Sequence, residues 1–349
     1  MKLTDRDWKT FEIEDLFSVE GTVTTIPNKL ILNGNTPRIT CAATNNALDD
    51  FYSNFPTEEG GVITIDSATT GYISFQEHSF IATDHVEKVV LKEKKMNRFL
   101  GLFLKIVIES ATKGKYEYGY KFSQKRIQRQ LIQLPINNEG LPDYQFMEDY
   151  TKELIEKKKA QYRAYAEKMI KSMDETLYIS SKKWQSFIIS DIFEIKPGKR
   201  LVAANSTEGE RPFIGALDNN NGIARFVSND NVSKDKNVLG VNYNGNGMVI
   251  GFYHPYECIF SDDVKRFHLK HYPDNEYVLL FMKALILKQK SKFGYLYKFN
   301  ADRMAHTSIM IPVDDNGNPD YAFMEQYGKM LVARKYQQYL DYLDSRKNI

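Results

Sequence analysis

The sequence has 349 residues and a formal net charge of +2, with 42% hydrophobic and 26% charged residues and a mean hydropathy of −0.47. That length accommodates about two or three domains, and the composition excludes a disordered chain, a collagen-like chain and a polytopic membrane protein. The pI of about 8.2 lies below the range above about 9 that marks many nucleic-acid-binding domains, so global charge names no partner.

In chain order, the N-terminal stretch lacks the continuous apolar core of a secretory signal. It leads into WKTFEIEDLF from Trp8. Short β-type runs at 61–65 and 71–75, punctuated by Gly and Asn clusters, predict a compact sheet-containing region up to about Val90. An amphipathic helix follows over about 96–110, then a Tyr/Lys-rich connection and a short strand ending at Pro135. After the turn NNEGLPD a long helix begins, with Phe146, Tyr150, Leu154, Gln161/Tyr162, Tyr165 and Met169 at steps of three to four and lysines opposite.

The whole series is then repeated. WQSFIISDIF from Trp184 answers the opening, 248–253 is again β-type, 276–290 is again helical, and the connection and short strand recur up to Pro312. The segment from Pro142 to Tyr165 aligns with that from Pro319 to Tyr342 at an offset of 177, with thirteen identities in twenty-four positions. The second long helix carries Phe323, Tyr327, Leu331, Tyr339 and Leu343. Two like helices, one between the repeats and one after the second, can pair antiparallel. At ~1.5 Å per residue, about 25 residues make a rod of roughly 37 Å, close to the ~34–36 Å of one DNA turn. Neither apolar stretch, 99–108 or 277–287, reaches the ~20 residues a bilayer requires. Cys41 and Cys258 form no metal-type pair and no disulfide framework, which makes the cytoplasm the expected compartment.

The repeated W-x-x-F-x-I-x-D-[LI]-F opening, the stretch ALDNNNGI at 216–223 and the P-D-Y-x-F-M-E-x-Y helix entrances resemble, over essentially the whole chain, the specificity subunit of Type I restriction-modification systems and the related subunit of Type IIB, BcgI-like enzymes. The first copy departs at 43–47, reading ATNNA where the second has its Asn run and Gly222. The resemblance implies an α+β fold: target-recognition domains at 1–143 and 179–320, and spacer helices at 144–178 and 321–347 that form an antiparallel coiled coil. It implies a non-catalytic subunit that binds double-stranded DNA at a bipartite target and recruits methyltransferase and endonuclease subunits. S-adenosylmethionine and Mg would sit on those partners, and no cofactor on this chain. Two alternatives remain: a DNA-modifying enzyme with a cryptic site in the Asn/Gly-rich loops, and a protein-assembly scaffold that binds no DNA.

No catalytic or metal-binding set can be argued from the residues. Asn318-Pro319-Asp320-Tyr321 lacks the second proline of the N-P-P-Y motif of adenine methyltransferases, and Leu141 stands at the Asn position in the other repeat. Asp143 and Asp320 therefore read as helix caps. Pro142-Asp143 with Glu156-Lys157-Lys158 resembles a nuclease carboxylate pattern, but the second copy has Ala333-Arg334-Lys335 there. The six histidines show no metal-ligand spacing, and His78 and His254 read as equivalent structural positions.

Candidate DNA contacts lie in the Tyr/Lys connection: Lys113, Lys115, Tyr116, Tyr118, Tyr120, Lys121 and Arg126, repeated as Lys292, Tyr295, Tyr297, Lys298 and Arg303. Lysines neutralise phosphates, and tyrosines offer hydroxyls and flat ring faces. The competing reading is a strand whose alternating tyrosines pack on the preceding helix. Asn219, Asn220 and Asn221 could pair with adenine in the major groove, or simply form a turn. Lys199 and Arg200 are a further candidate group, and Asn45 and Asn46 a weaker one.

Overall fold

The computed structural model describes residues 1–171, 177–245 and 247–345. Two compact units divide it, Met1–Tyr162 and Arg163–Ile349. In the first, β1 (Trp8–Glu12) passes through the single-turn α1 (Ile13–Leu16) to β2 (Phe17–Gly21), β3 (Thr36–Ile39), β4 (Leu48–Tyr52), β5 (Val62–Asp66), β6 (Ile73–Gln76), β7 (Ile81–Ala82) and β8 (Val86–Leu91). Then come α2 (Arg98–Thr112), α3 (Gln124–Gln128), β9 (Leu131–Pro135) and the long α4 (Tyr144–Lys171), whose last turns, from Arg163, belong to the second unit. The second unit repeats the order with β10 (Lys183–Ile188), α5 (Ile189–Ile192), β11 (Phe193–Pro197), β12 (Glu208–Ile214), β13 (Ile223–Val227), β14 (Val238–Asn242), β15 (Gly251–His254), β16 (Ile259–Phe260), β17 (Val264–Leu269), α6 (Glu276–Leu287), α7 (Ala301–His306), β18 (Ser308–Val313) and α8 (Tyr321–Ser345).

Among the described residues each unit carries three sheets of matching strand order. The larger runs β2-β8-β5-β6 in one unit and β11-β17-β14-β15 in the other; the smaller runs β4-β3-β7 and β13-β12-β16. A two-stranded antiparallel ribbon, β1 with β9 or β10 with β18, ties the start of each unit to the strand before its long helix. The duplication in sequence is thus a duplication of topology.

Burial explains why these segments become these elements. Every residue of β5 and of β14 is buried, as expected of central strands covered on both faces. Helix α2 lays Leu100, Leu104 and Ile108 on the larger sheet, all fully buried, each contributing about 1.5–3 kcal/mol. Its start is fixed by Asn97, whose side chain accepts the Leu100 N–H at 3.0 Å; Asn275 does the same for Val278 at 3.1 Å in α6. A β-carbon at Gly101 would lie 2.1 Å from the Phe75 ring, so only glycine lets α2 settle this close to β6.

The P-D-Y entrances are caps. Asp143 accepts the Phe146 N–H and Asp320 the Phe323 N–H, both at 2.9 Å. Each carboxylate also holds a cation from the start of its unit, Arg6 at 2.8 Å and Lys182 at 2.5 Å. Those cations lie 4.8 Å over the rings of Phe146 and Phe323. Trp8, Phe103, Tyr150 and Phe146 continue the ring series in the first unit, and Trp184, Phe281, Tyr327 and Phe323 in the second.

Within the second unit the end of α4 runs antiparallel to α8. Arg163 bonds Asp344 at 2.6 Å, Tyr165 meets Tyr336 edge-on at 5.7 Å, and the Leu177 N–H points at the Met330 sulfur at 3.2 Å. The buried face of α8 differs from the expected stripe. It consists of Tyr321, Met324, Met330, Ala333 and Leu340, while Leu331 and Tyr339 are exposed. In α4, Leu154 and Tyr165 are also exposed and Ala166 is buried. Met324, Met330 and Ala333, unbranched or small, make up much of this face and permit close approach, while Tyr339 lies at its margin. Helix α8 also packs closely on α6: a β-carbon at Gly328 would stand 2.9 Å from that of Tyr277. Among the described residues no helix is long and apolar enough to cross a membrane.

Candidate nucleic-acid interface

The Tyr/Lys connection forms a tight turn in each unit. Backbone bonds join Glu117 to Tyr120 (2.9 and 3.3 Å) and Gly294 to Tyr297 (3.0 and 3.1 Å) in both directions, with Tyr118-Gly119 and Tyr295-Leu296 at the apices. The alternating-tyrosine strand is absent. None of these apical residues takes a positive φ, and turns without one splay their flanking strands, so pairing stops after one bridge.

A column of rings braces each turn from beneath. In the first, fully buried Phe122 stacks on Tyr116 at 4.0 Å, Tyr116 on Tyr120 at 5.8 Å, and the Arg126 guanidinium lies 3.8 Å over Tyr120. In the second, Phe299, Phe293 and Tyr297 follow at 4.5 and 5.7 Å, with Arg303 at 3.8 Å. Arg126 and Arg303 donate to the carbonyls of Lys121 (2.5 Å) and Lys298 (2.8 Å). These arginines hold the turn together. Burial pushes the Tyr116 phenol above its usual range, and that hydroxyl donates to Gln130 at 3.1 Å.

The apices face water. Tyr118 is 78% exposed and Tyr295 84%, with Lys121 and Lys298 ammoniums 5.5 and 5.6 Å over their rings. Lys113, Lys115, Lys121 and Lys292 are exposed and Lys298 half-buried; among the described residues none of the five is in an ion pair. Free ammoniums beside open ring faces suit a polyanion with flat groups.

The other candidates sit elsewhere. Asn220 and Asn221 take left-handed backbone, φ 47° and 51°, and their amides are occupied: Asn220 bonds the Ile223 carbonyl at 3.0 Å and Asn221 the Tyr256 hydroxyl at 2.8 Å. Asn219 is exposed and starts the same turn. Asn45 and Asn46 form the matching turn, φ 50° and 54°, where Asn46 bonds the Phe75 carbonyl at 3.0 Å. Lys199 is exposed at the end of β11, and Arg200, 77% exposed, lies 3.9 Å from Asp262. Among the described residues no hydrogen bond or ring contact joins Lys199, Arg200 or the Asn turn to the 290–303 segment.

The histidine pairing is corrected. His254 stands opposite Val238 as Gln76 stands opposite Val62, so its counterpart is Gln76; His78 is exposed. His254 is fully buried, neither ring nitrogen has a partner among the described residues, and burial pushes its pKa down to about 4. Burial pushes the thiols of Cys41 and Cys258 up to about 12, which leaves both unreactive. Among the described residues no cluster of three or more His, Cys, Asp or Glu could hold a metal ion.

Sequence reasoning missed a second matched set, the exposed apolar residues of the small sheets. Ile26 and Val202 each precede a short helical turn, Phe51 and Phe226 lie opposite Pro37 and Pro212, and Phe55 (92% exposed) and Val232 (84%) follow the last small-sheet hairpin. It also missed partly buried ion pairs at one position: Glu58 with Lys88 at 2.6 Å, and Asp235 with Arg266 and His268 at 2.8 and 2.9 Å. The signal for both is the offset between the repeats.

Comparison with known families bears directly on these paired sites. The profile of the Type I restriction modification DNA specificity domain matches residues 5–162 and again 181–338. The chain belongs to that family. This specificity chain is 40% identical over 325 residues to the Type II restriction enzyme BgcI specificity subunit S.BcgI of Heyndrickxia coagulans, covering 92% of its own length and 93% of the relative's. The crystal structure of the Type-I restriction-modification system S subunit from M. genitalium covers 99% of this specificity chain and 94% of its own, with a TM-score of 0.53 at 14% identity, a likeness of fold. The chain is a restriction-modification specificity subunit of α+β architecture with two tandem domains.

Proposed function

We propose that this chain reads a bipartite sequence in double-stranded DNA, one half with each unit, and has no catalytic activity of its own. The observation that carries the reading is the pair of lysine-flanked, ring-braced turns. A feature repeated in both units serves what the two half-sites share, the phosphate backbone. The small sheets, alike in topology and partly different in side chains, are then the base readers: Ile26 and Phe55 in one unit against Val202 and Val232 in the other, with Phe51 and Phe226 in common. Lys199, Arg200 and Asn219 flank the second of these, whereas Asn220 and Asn221 shape the turn that presents it. Apolar side chains there suit thymine methyl groups.

The long helices are the docking place for modification and cleavage subunits, which would bring S-adenosylmethionine and Mg and do the chemistry. Selecting duplexes from a random-sequence pool with the full-length chain tests this. The expected result is two short specified blocks separated by a fixed unread gap. A single block, or no enrichment, refutes it.

A further inference from the structure

The two turns are alike in brace and lysines and unlike at the tip. Leu296, 95% exposed, occupies the second apex beside Tyr295, where the first has Gly119 with open space around it. Gly294 stands where the first turn has Glu117. An isolated leucine in water gains only when something removes it from water. Lys290 and Lys292 precede it by six and four residues and Lys298 lies over the neighbouring Tyr295 ring; none of the three is in an ion pair among the described residues, and together they favour an anionic partner. An apolar tip flanked in sequence by cations matches a base step: apolar wedges enter between stacked bases and kink the duplex, while flanking cations hold the phosphates. The Phe299–Phe293–Tyr297–Arg303 column backs the tip and resists its being pushed home.

We propose that the second turn is an intercalating wedge, with Leu296 and Tyr295 as its edge, and that the first turn only lies on the backbone. DNA bound by this chain is therefore kinked in one half-site and straight in the other. Gly119 leaves the first tip with Tyr118 alone and no aliphatic side chain beside it, and Glu117 sets a carboxylate at its base where the second turn has Gly294, while Lys113, Lys115 and Lys121 hold the turn on the backbone. This rests on the reading of the chain as DNA-binding.

The test uses the full-length chain, the variants Leu296→Gly, Gly294→Glu and Gly119→Leu, and duplexes recovered from a random pool. Permanganate reactivity of thymines reports unstacking, and energy transfer between end labels reports bending. Leu296 is exposed and Gly119 has room for a side chain, so these variants keep the fold. Reactive thymines in one half-site and shortened end-to-end distance are expected for the parent. Leu296→Gly should lose both while still retarding the duplex, and Gly294→Glu should weaken both. Gly119→Leu should raise reactivity in the other half-site. A bound but straight, unreactive duplex with the parent chain, or an unchanged kink in Leu296→Gly, overturns the wedge and leaves DNA binding standing. No retardation of any duplex, with binding instead to vesicles of phosphatidylserine and phosphatidylcholine, overturns both.

Discussion

Replacing Lys113, Lys115 and Lys121 together by alanine removes three ammoniums that are exposed and in no ion pair among the described residues. Each phosphate that a cation neutralises contributes about 0.9 to the slope of log K against log salt, so three engaged lysines contribute about 2.7. Between about 50 and 200 mM salt, a fourfold change, that part of the slope alone changes affinity by roughly 40-fold. The triple variant should therefore bind more weakly at low salt, and its affinity should fall with salt by that much less than the parent's. Urea unfolding should barely shift, within about ±0.5 kcal/mol, because no ion pair is lost and the contact of Lys121 with the exposed Tyr118 ring lies at the surface. Titrating a labelled duplex by fluorescence anisotropy at several salt concentrations measures the slope directly. A slope equal to the parent's would show that these lysines do not touch phosphate, and the assignment of the turn would fall with it.

Other consequences are open to measurement. Asp143→Ala and Asp320→Ala should each cost about 0.5–2 kcal/mol, the usual worth of an N-cap, with a little more from the Arg6 or Lys182 partner, read as a lower urea midpoint. Gly101→Ala drives a methyl into the Phe75 ring and should cost about 1–3 kcal/mol by overpacking; an unchanged midpoint would contradict the close helix-sheet contact. His268 is held above its usual range by its bond to Asp274, against burial and with the help of Asp235. Its contribution to stability is complete below about pH 6.5, the unfolded value, and is lost as pH rises through the raised folded pKa. Thermal unfolding should show the second unit weakening over that window and His268→Gln flattening the trend; a stability that rises with pH there would reverse the sign.

Much of this was legible in the residues. The offset of the P-D-Y helices announces the duplication, because identical local chemistry at a fixed spacing requires two copies of one topology. The caps were legible too, since an Asp three residues before an apolar run has a mechanical meaning at a helix start. A constant offset aligns His254 with His78, but its structural counterpart is Gln76, because the hairpin between β14 and β15 is two residues longer than that between β5 and β6 and shifts the offset midway through each unit. The buried face of α8 is not legible in the same way, because apolar spacing marks a stripe without saying which of two adjacent rows faces inward: Met330, Ala333 and Leu340 turn in, and Leu331 and Tyr339 turn out. Tyr116, Tyr118, Tyr120 and Phe122 alternate as a strand would, and only the chain's reversal stacks Phe122, Tyr116, Tyr120 and Arg126 into one column and leaves Tyr118 at the apex.

The ribbons that pair Trp8 with Pro135 and Trp184 with Pro312 give each unit an entrance and an exit at the same seam. If each unit reads one half-site as proposed, a cassette built this way could be replaced by one tuned to other bases with its junctions unaltered. New targets could then arise by shuffling whole modules, without remaking the chain around them.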